Sequence, residues 1–204
     1  YNLIITGRSA DKLQALKAEL EAGGVEVLAL AFDVCNREAT RDAVASIPDA
    51  FKPIDVLINN AGLALGLEPE YEGDFQDWDE MIDTNIKGLL NMTRFVVPGM
   101  VSLNHGHVIN IGSVAGDAAY AGGGVYCATK AAVKALTDGL RIDVAHTKVR
   151  VTNIKPGLVE TNFSRVRFHG NEDRADKVYQ GIKPLTGDDV ADVVLYAVQA
   201  PEHV

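Results

Sequence analysis

Short apolar runs alternate along the chain with stretches whose apolar residues recur every three or four positions. The runs at 3–6, 26–32, 56–59, 107–112 and 149–154 are compact and bounded by Gly, Pro, Asn or Asp, the pattern of strands buried on both faces. Between them lie helical spacings. Leu13, Leu16 and Leu20 follow Ser9 as N-cap and stop at Gly23-Gly24. Ala39, Ala43, Val44 and Ile47 follow Asn36 and stop at Pro48. A long helix is predicted over about 78–97, with Trp78, Met81, Ile82, Ile86, Leu89 and Leu90 inward and Pro98-Gly99 as terminator. Another is predicted over about 125–146, and Thr186 with Asp189 forms a capping box ahead of Val190, Val193, Val194, Ala197 and Val198. Strand and helix in strict alternation require a parallel sheet covered on both faces. The expectation is one α/β domain over residues 1–204, a three-layer, doubly wound sheet of Rossmann type.

Such sheets bind ligands at the carboxyl ends of their strands. Here those ends read Thr6-Gly7-Arg8, Asp33-Val34, Asn59-Asn60-Ala61-Gly62, Gly112-Ser113 and Lys155-Pro156-Gly157. Any one of them is an ordinary turn; five along one sheet edge suit a cofactor, because glycine lets backbone approach closely and asparagine offers uncharged donors and acceptors. Arg8 stands where a dinucleotide fold meets the adenosine ribose. A cation there pairs with a 2′-phosphate, which an acid would repel, so the lean is to NADP. Asp33 can accept from an adenine amino group or cap the following helix.

Tyr126 and Lys130 are four residues apart on a predicted helix, so phenol and ammonium share one face. A free tyrosine titrates near 10, and bringing it to about 7 takes about 4 kcal/mol of differential stabilisation, which an adjacent cation helps to supply. The spacing alone equally describes an aromatic ring packed on a lysine stem. Ser113, at a strand end ahead of Gly122-Gly123-Gly124, adds a hydroxyl able to face the tyrosine across a carbonyl. His105 and His107 read as strand-lead residues, Cys127 as a small packed side chain, and the acids between 74 and 83 as a solvated helix face.

The balance of 19 basic and 28 acidic side chains gives a net charge of −9, which disfavours nucleic-acid backbones and anionic membranes. Two cysteines are too few for a disulfide framework, and no uninterrupted apolar stretch is long enough to span a bilayer.

Asn59-Asn60-Ala61-Gly62, Asn85, Ser113, Tyr126 with Lys130, and Pro156-Gly157 together resemble the short-chain dehydrogenases/reductases. The stretches at 61–66, 83–85, 156–159 and 166–171 are similar to the NADP-dependent 3-hydroxy acid dehydrogenases, which include serine 3-dehydrogenase, L-allo-threonine dehydrogenase and malonic semialdehyde reductase. The resemblance implies a catalytic tetrad of Asn85, Ser113, Tyr126 and Lys130. Tyr126 would exchange the proton, Ser113 hold the oxygen, Lys130 lower the phenol's pKa and bind the nicotinamide ribose, and Asn85 position a water between Lys130 and solvent. It implies NADP contacts at Arg8, Asp33, Val34, Asn60, Ala61, Gly62, Tyr126, Lys130, Pro156, Gly157, Val159 and Thr161. By charge, Arg167 or Arg165 is the candidate for a substrate carboxylate, beside Ser113 and Tyr126; no metal is implied. A cytoplasmic homotetramer is the family expectation. The family's glycine loop, Gly-x-x-x-Gly-x-Gly, has no counterpart here, so the resemblance implies a domain trimmed at both ends, lacking the first strand with that loop and the last strand. Two readings stay open beside it: a 3-oxoacyl thioester or general carbonyl reductase, and a catalytically silent binding or assembly module.

Overall fold

The computed structural model describes residues 1–201. Five strands form where the apolar runs predict them: β1 (Leu3–Gly7), β2 (Val27–Ala31), β3 (Val56–Asn59), β4 (Gly106–Ile111) and β5 (Val149–Ile154). β1 pairs with β2, and β3, β4 and β5 pair in that order; every ladder is parallel. Among the described residues no ladder joins β1 to β3. A cavity of about 2000 Å³ opens between them, lined by Leu3 and Ile4 on one side and Val56, Leu57 and Ile58 on the other. The result is the expected doubly wound parallel sheet with a break in it. The expected shortfall of a last strand concerns the chain's end at Val204, outside the described residues. A short parallel pair, β6 (Val159–Glu160) with β7 (Leu185–Thr186), lies apart from the main ladders.

Helices α1 (Ala10–Ala22), α2 (Arg37–Ala45), α3 (Phe75–Ile82), α4 (Leu89–Leu103), α5 (Gly124–Asp143), α6 (Phe163–Arg167), α7 (Glu172–Lys177) and α8 (Gly187–Gln199) fill the crossovers and the C-terminal region. Their ends follow local chemistry. Asn36 accepts from the Ala39 N–H at 3.0 Å to cap α2, and Thr186 and Asp189 form the reciprocal capping box of α8. Ser9 occupies the N-cap of α1 without a side-chain bond.

The long helix departs from expectation twice. It is interrupted by a π-helical turn at Asp83–Gly88, and it runs through Pro98 to Leu103. Proline removes one intrahelical bond, but Arg94 and Pro98 both lie on the exposed face, where water can satisfy the freed carbonyl. Termination falls instead to Asn104, in the left-handed conformation at φ 52° and ψ 35°.

The core has two centres. One packs Leu57, Val108, Val149 and Val151 of β3 to β5 against Val96, Val97 and Met100 of α4 and against Val144. The other joins Leu63, Ala64 and Leu65 after β3 with Met81, Ala115, Tyr126 and Cys127. The catalytic candidate Tyr126 is therefore itself a core residue, and Cys127 is the packed side chain expected.

Candidate active site

Three asparagines lie in one row across the sheet: Asn59 is in register with Asn110, and Asn110 with Asn153. Asn59 donates to Asn110 Oδ1 at 2.8 Å, and Asn110 donates to Thr137 Oγ1 on α5 at 2.9 Å. Asn110 and Thr137 are fully buried, so this chain of bonds fixes α5 relative to the strand ends. Close packing does the rest. A Cβ on Gly116 would stand 2.7 Å from the Lys130 carbonyl, so the turn that begins at Ser113 rests directly on α5.

On that platform Lys130 is 7% exposed and donates one N–H to the Ile111 carbonyl at 2.9 Å. Burial brings its pKa from the ordinary 10.5 down to about 8. Its ammonium lies 5.9 Å from the centre of the Tyr126 ring. Burial pushes the Tyr126 phenol up, while the Ser113 hydroxyl and the Arg167 guanidinium pull it down. From the protein's own groups the burial of the phenol outweighs its partners, and the lysine beside it is itself desolvated.

Asn85 is 2% exposed and lies in the π-helical turn. Its Oδ1 accepts from the Leu63 N–H at 2.8 Å, and its Nδ2 donates to the Leu63 carbonyl at 2.8 Å and to Thr129 Oγ1 at 2.9 Å. Both side-chain N–H bonds are thus used, and the side chain clasps the loop after β3 to α5. Gly62 fits in the same place; a Cβ there would lie 3.2 Å from Asn85 Oδ1 and 3.3 Å from Lys130 Nζ.

The large cavity brings together Ser113, Tyr126, Lys130, Asn60, Gly62, Pro156, Gly157, Val159, Thr161 and Arg167. Arg8, Asp33, Val34 and Ala61 lie outside its lining. Arg8 is 67% exposed at the end of β1, with only a loose 3.9 Å approach to Glu80, so its charge is available to an anion at that rim. Asp33 Oδ1 accepts from the Cys35 N–H at 2.9 Å, which settles the capping question: Asp33 closes the turn and Asn36 caps the helix. The Val34 carbonyl accepts from Asn91 at 2.8 Å. The two arginines also separate, since Arg165 faces Glu172 on the surface and Arg167 reaches the cavity.

Arg167 is a candidate by charge, but the contacts that place it, and the groups that make them, have no signal in the sequence. Arg167 Nε donates to the Gly66 carbonyl at 2.9 Å while the Gly66 N–H donates to the Arg167 carbonyl at 2.9 Å. Arg167 Nη1 donates to the Tyr120 hydroxyl at 2.8 Å. His169 approaches Asp77 at 3.1 Å, and Arg174 approaches Glu68 at 3.2 Å. The segment after β6 is thereby fastened to the loop after β3, and Asp77, expected on a solvated face, is one of the anchors. These are contacts across long sequence separations between residues that individually look like surface polar groups.

A buried lysine and tyrosine on one helix face, a serine hydroxyl opposite and a cavity along the strand ends make a site for proton exchange at a carbonyl or hydroxyl oxygen. Comparison with known proteins agrees. The family model for short chain dehydrogenases matches residues 1–172. The whole chain aligns at 52% identity with 82% of the NADP-dependent 3-hydroxy acid dehydrogenase YdfG of Salmonella typhimurium, and at 45% identity with 80% of the serine 3-dehydrogenase of Rhizobium radiobacter. Among solved structures, the closed form of a serine dehydrogenase complexed with NADP+ superposes over the whole chain and 82% of its own, with a TM-score of 0.94 and 51% identity. The chain belongs to the short-chain dehydrogenase family.

Proposed function

We propose that the protein is an NADP-dependent oxidoreductase that interconverts the 3-hydroxyl and 3-oxo forms of a short 3-hydroxy acid, such as serine, allo-threonine or 3-hydroxypropionate. NADP dependence accords with the relatives named above and with Arg8, a largely exposed cation just past β1 whose ion pair with Glu80 is long at 3.9 Å, placed where a 2′-phosphate would lie. The remaining residues suit the other end of the cofactor. Asn60, Gly62, Pro156, Gly157, Val159 and Thr161 line the cavity, and Lys130 has N–H bonds to spare beyond the one given to Ile111. When bound, NADP(H) supplies or accepts the hydride.

The chain's own residues handle the proton and the substrate. Ser113 holds the reacting oxygen against Tyr126, and Tyr126 takes the hydroxyl proton in oxidation or returns it in reduction. Lys130 stabilises the phenolate and binds ribose hydroxyls. The observation that carries the choice of an acid substrate is Arg167. Its guanidinium lies 5.9 Å from the Tyr126 ring, and no carboxylate of the described residues comes within ion-pair distance of it.

Exposed apolar side chains on α4 and α5, Leu90, Leu103 and Ile142, support pairing of copies in a homotetramer. Among the described residues no helix is long and apolar enough to cross a membrane; a cytoplasmic location is part of the proposal. Assay of L-serine, L-allo-threonine and 3-hydroxypropionate against an acetoacetyl thioester tests the substrate class: turnover confined to the thioester defeats it. Tyr126→Phe tests the mechanism and is expected to lower kcat at least 10²-fold, about the contribution of a positioned acid or base; an unchanged rate removes Tyr126 from the proton step.

A further inference from the structure

Arg167 is bonded on two of its three nitrogens, Nε to Gly66 and Nη1 to Tyr120; Nη2 is buried and has no partner among the described residues. A buried donor left unpaired on a charged group is costly, so such an atom beside a cavity marks where an acceptor belongs. Tyr120, 41% exposed, stands beside it. Its ring packs on Gly123, where a Cβ would come within 2.2 Å of the ring, and the residue lines the same cavity as Ser113 and Tyr126. The hydroxyl oxygen accepts from Arg167, and its own hydrogen has no acceptor among the described residues. Two adjacent donors, Arg167 Nη2–H and Tyr120 O–H, thus lie together without acceptors, with the Arg167 guanidinium carbon 5.5 Å from one tyrosine ring and 5.9 Å from the other. Two donors side by side match the two oxygens of a carboxylate.

From this we infer that Tyr120 is a specificity-determining residue, the second arm of a two-point carboxylate receptor whose first arm is Arg167. The inference rests on the 3-hydroxy acid reading and sharpens it. Arg167 supplies the charge and one bond; Tyr120 orients the guanidinium and donates to the other oxygen. Uncharged analogues keep a carbonyl acceptor but lose the charge and the match to two anionic oxygens. A tyrosine that only packs would affect charged and uncharged substrates alike.

The test compares 3-hydroxypropionate with its methyl ester in the wild type and in Tyr120→Phe, which keeps the ring on Gly123. Tyr120→Phe is expected to raise KM for the acid about tenfold, the loss of one hydrogen bond to a charged group, with kcat within about twofold and the ester's KM unmoved. Arg167→Met is expected to raise the acid's KM further and to abolish the preference for acid over ester. A parallel measurement needs no turnover: thermal shift with propionate against propionamide, expected to show stabilisation by propionate alone in the wild type and none in Tyr120→Phe. Equal changes for acid and ester, or propionate binding that survives Tyr120→Phe, overturn the role of Tyr120. Absence of turnover with any 3-hydroxy acid, while propionate still binds in a Tyr120-dependent way, overturns the substrate reading and leaves the receptor standing.

Discussion

At the scale of single residues, Lys130 shows how function opposes stability. An ordinary lysine titrates at 10.5, and this one at about 8 because it is buried. The folded state releases the proton first, so between pH 8 and 10.5 the unfolded chain binds more protons and stability rises with pH through that window. Below it the full penalty remains. Lys130→Met, similar in length and uncharged, is expected to raise stability by about 1–3 kcal/mol at pH 7, with the advantage shrinking toward pH 10, while activity is lost. Thermal melts at the two pH values check this, and an equal gap at both would refute it. Tyr126 belongs to the same bargain, its phenol buried against Phe163 at a ring separation of 5.8 Å in a small core that also carries the chemistry.

At the scale of elements, period and punctuation made most of the fold legible in the sequence. All five main strands and the caps Asn36 and Thr186 follow from apolar runs and short polar side chains acting locally. Tyr126, Lys130 and Ser113 were equally readable, because helix spacing and a strand end place them before any tertiary contact is known. Continuation through Pro98 was not readable, since it depends on which helix face meets water, and neither was the Tyr120–Arg167 pair, which depends on a loop fastened across the chain. The glycine triplet shows the same limit: in the sequence it is one glycine-rich connection, and in the structure each glycine meets a different neighbour. A Cβ on Gly122 would lie 2.1 Å from the Leu67 carbonyl, on Gly123 it would strike the Tyr120 ring, and on Gly124 it would meet the Glu70 carboxylate. Gly122 also has φ +71°, a conformation costing other residues roughly 1–2 kcal/mol. Gly122→Ala is therefore expected to cost about 2 kcal/mol or more and to weaken substrate binding by moving the loop that holds Gly66 and Arg167. Gly124→Ala displaces only the end of an exposed side chain and is expected to stay within about 0.5 kcal/mol. Urea unfolding of both variants decides it; similar costs would mean that the backbone contact at Gly122 yields as readily as a side chain. Strand β4 carries an element-scale liability of its own. His107 is 3% exposed, its Nε2 pairs with Thr152 at 2.8 Å, and burial, aided by the charge of Arg150, lowers its pKa from 6.5 to about 4. As pH falls from 6.5 to 4 the unfolded chain takes up a proton that the folded strand refuses, so stability drops in that window. His107→Gln, which keeps a partner for Thr152, is expected to flatten the acid side of the stability profile by up to about 3 kcal/mol; an unchanged slope would exclude His107 as the source.

At the scale of the whole molecule, burial differs between the two parallel ladders of the described residues. Strand β4 is buried along nearly its whole length, whereas β1 has no fully buried residue and β2 has only Val27. The residues of both hydrophobic centres come from β3 to β5, α3 to α5 and the loops between them, with Val44 of α2 packed alongside. Backbone hydrogen bonds in the β1–β2 ladder are therefore backed by less buried apolar surface and should open without unfolding the rest. Hydrogen exchange of this chain is expected to show β4 amides exchanging only through global unfolding, and β1 and β2 amides through a smaller opening, lower by at least about 2 kcal/mol. A cofactor that reaches from Arg8 at the end of β1 to Lys130 on α5 would span both ladders and bind only when both parts are in place. Saturating NADPH, at about a hundredfold over its dissociation constant, adds about 2.7 kcal/mol to any opening that destroys its site. The added protection should therefore appear in β1 and β2 as well as in β4. Protection gained in β4 alone would mean that the adenosine end does not engage Arg8, and uniform protection before NADPH is added would mean that the difference in burial between the ladders carries no energetic weight.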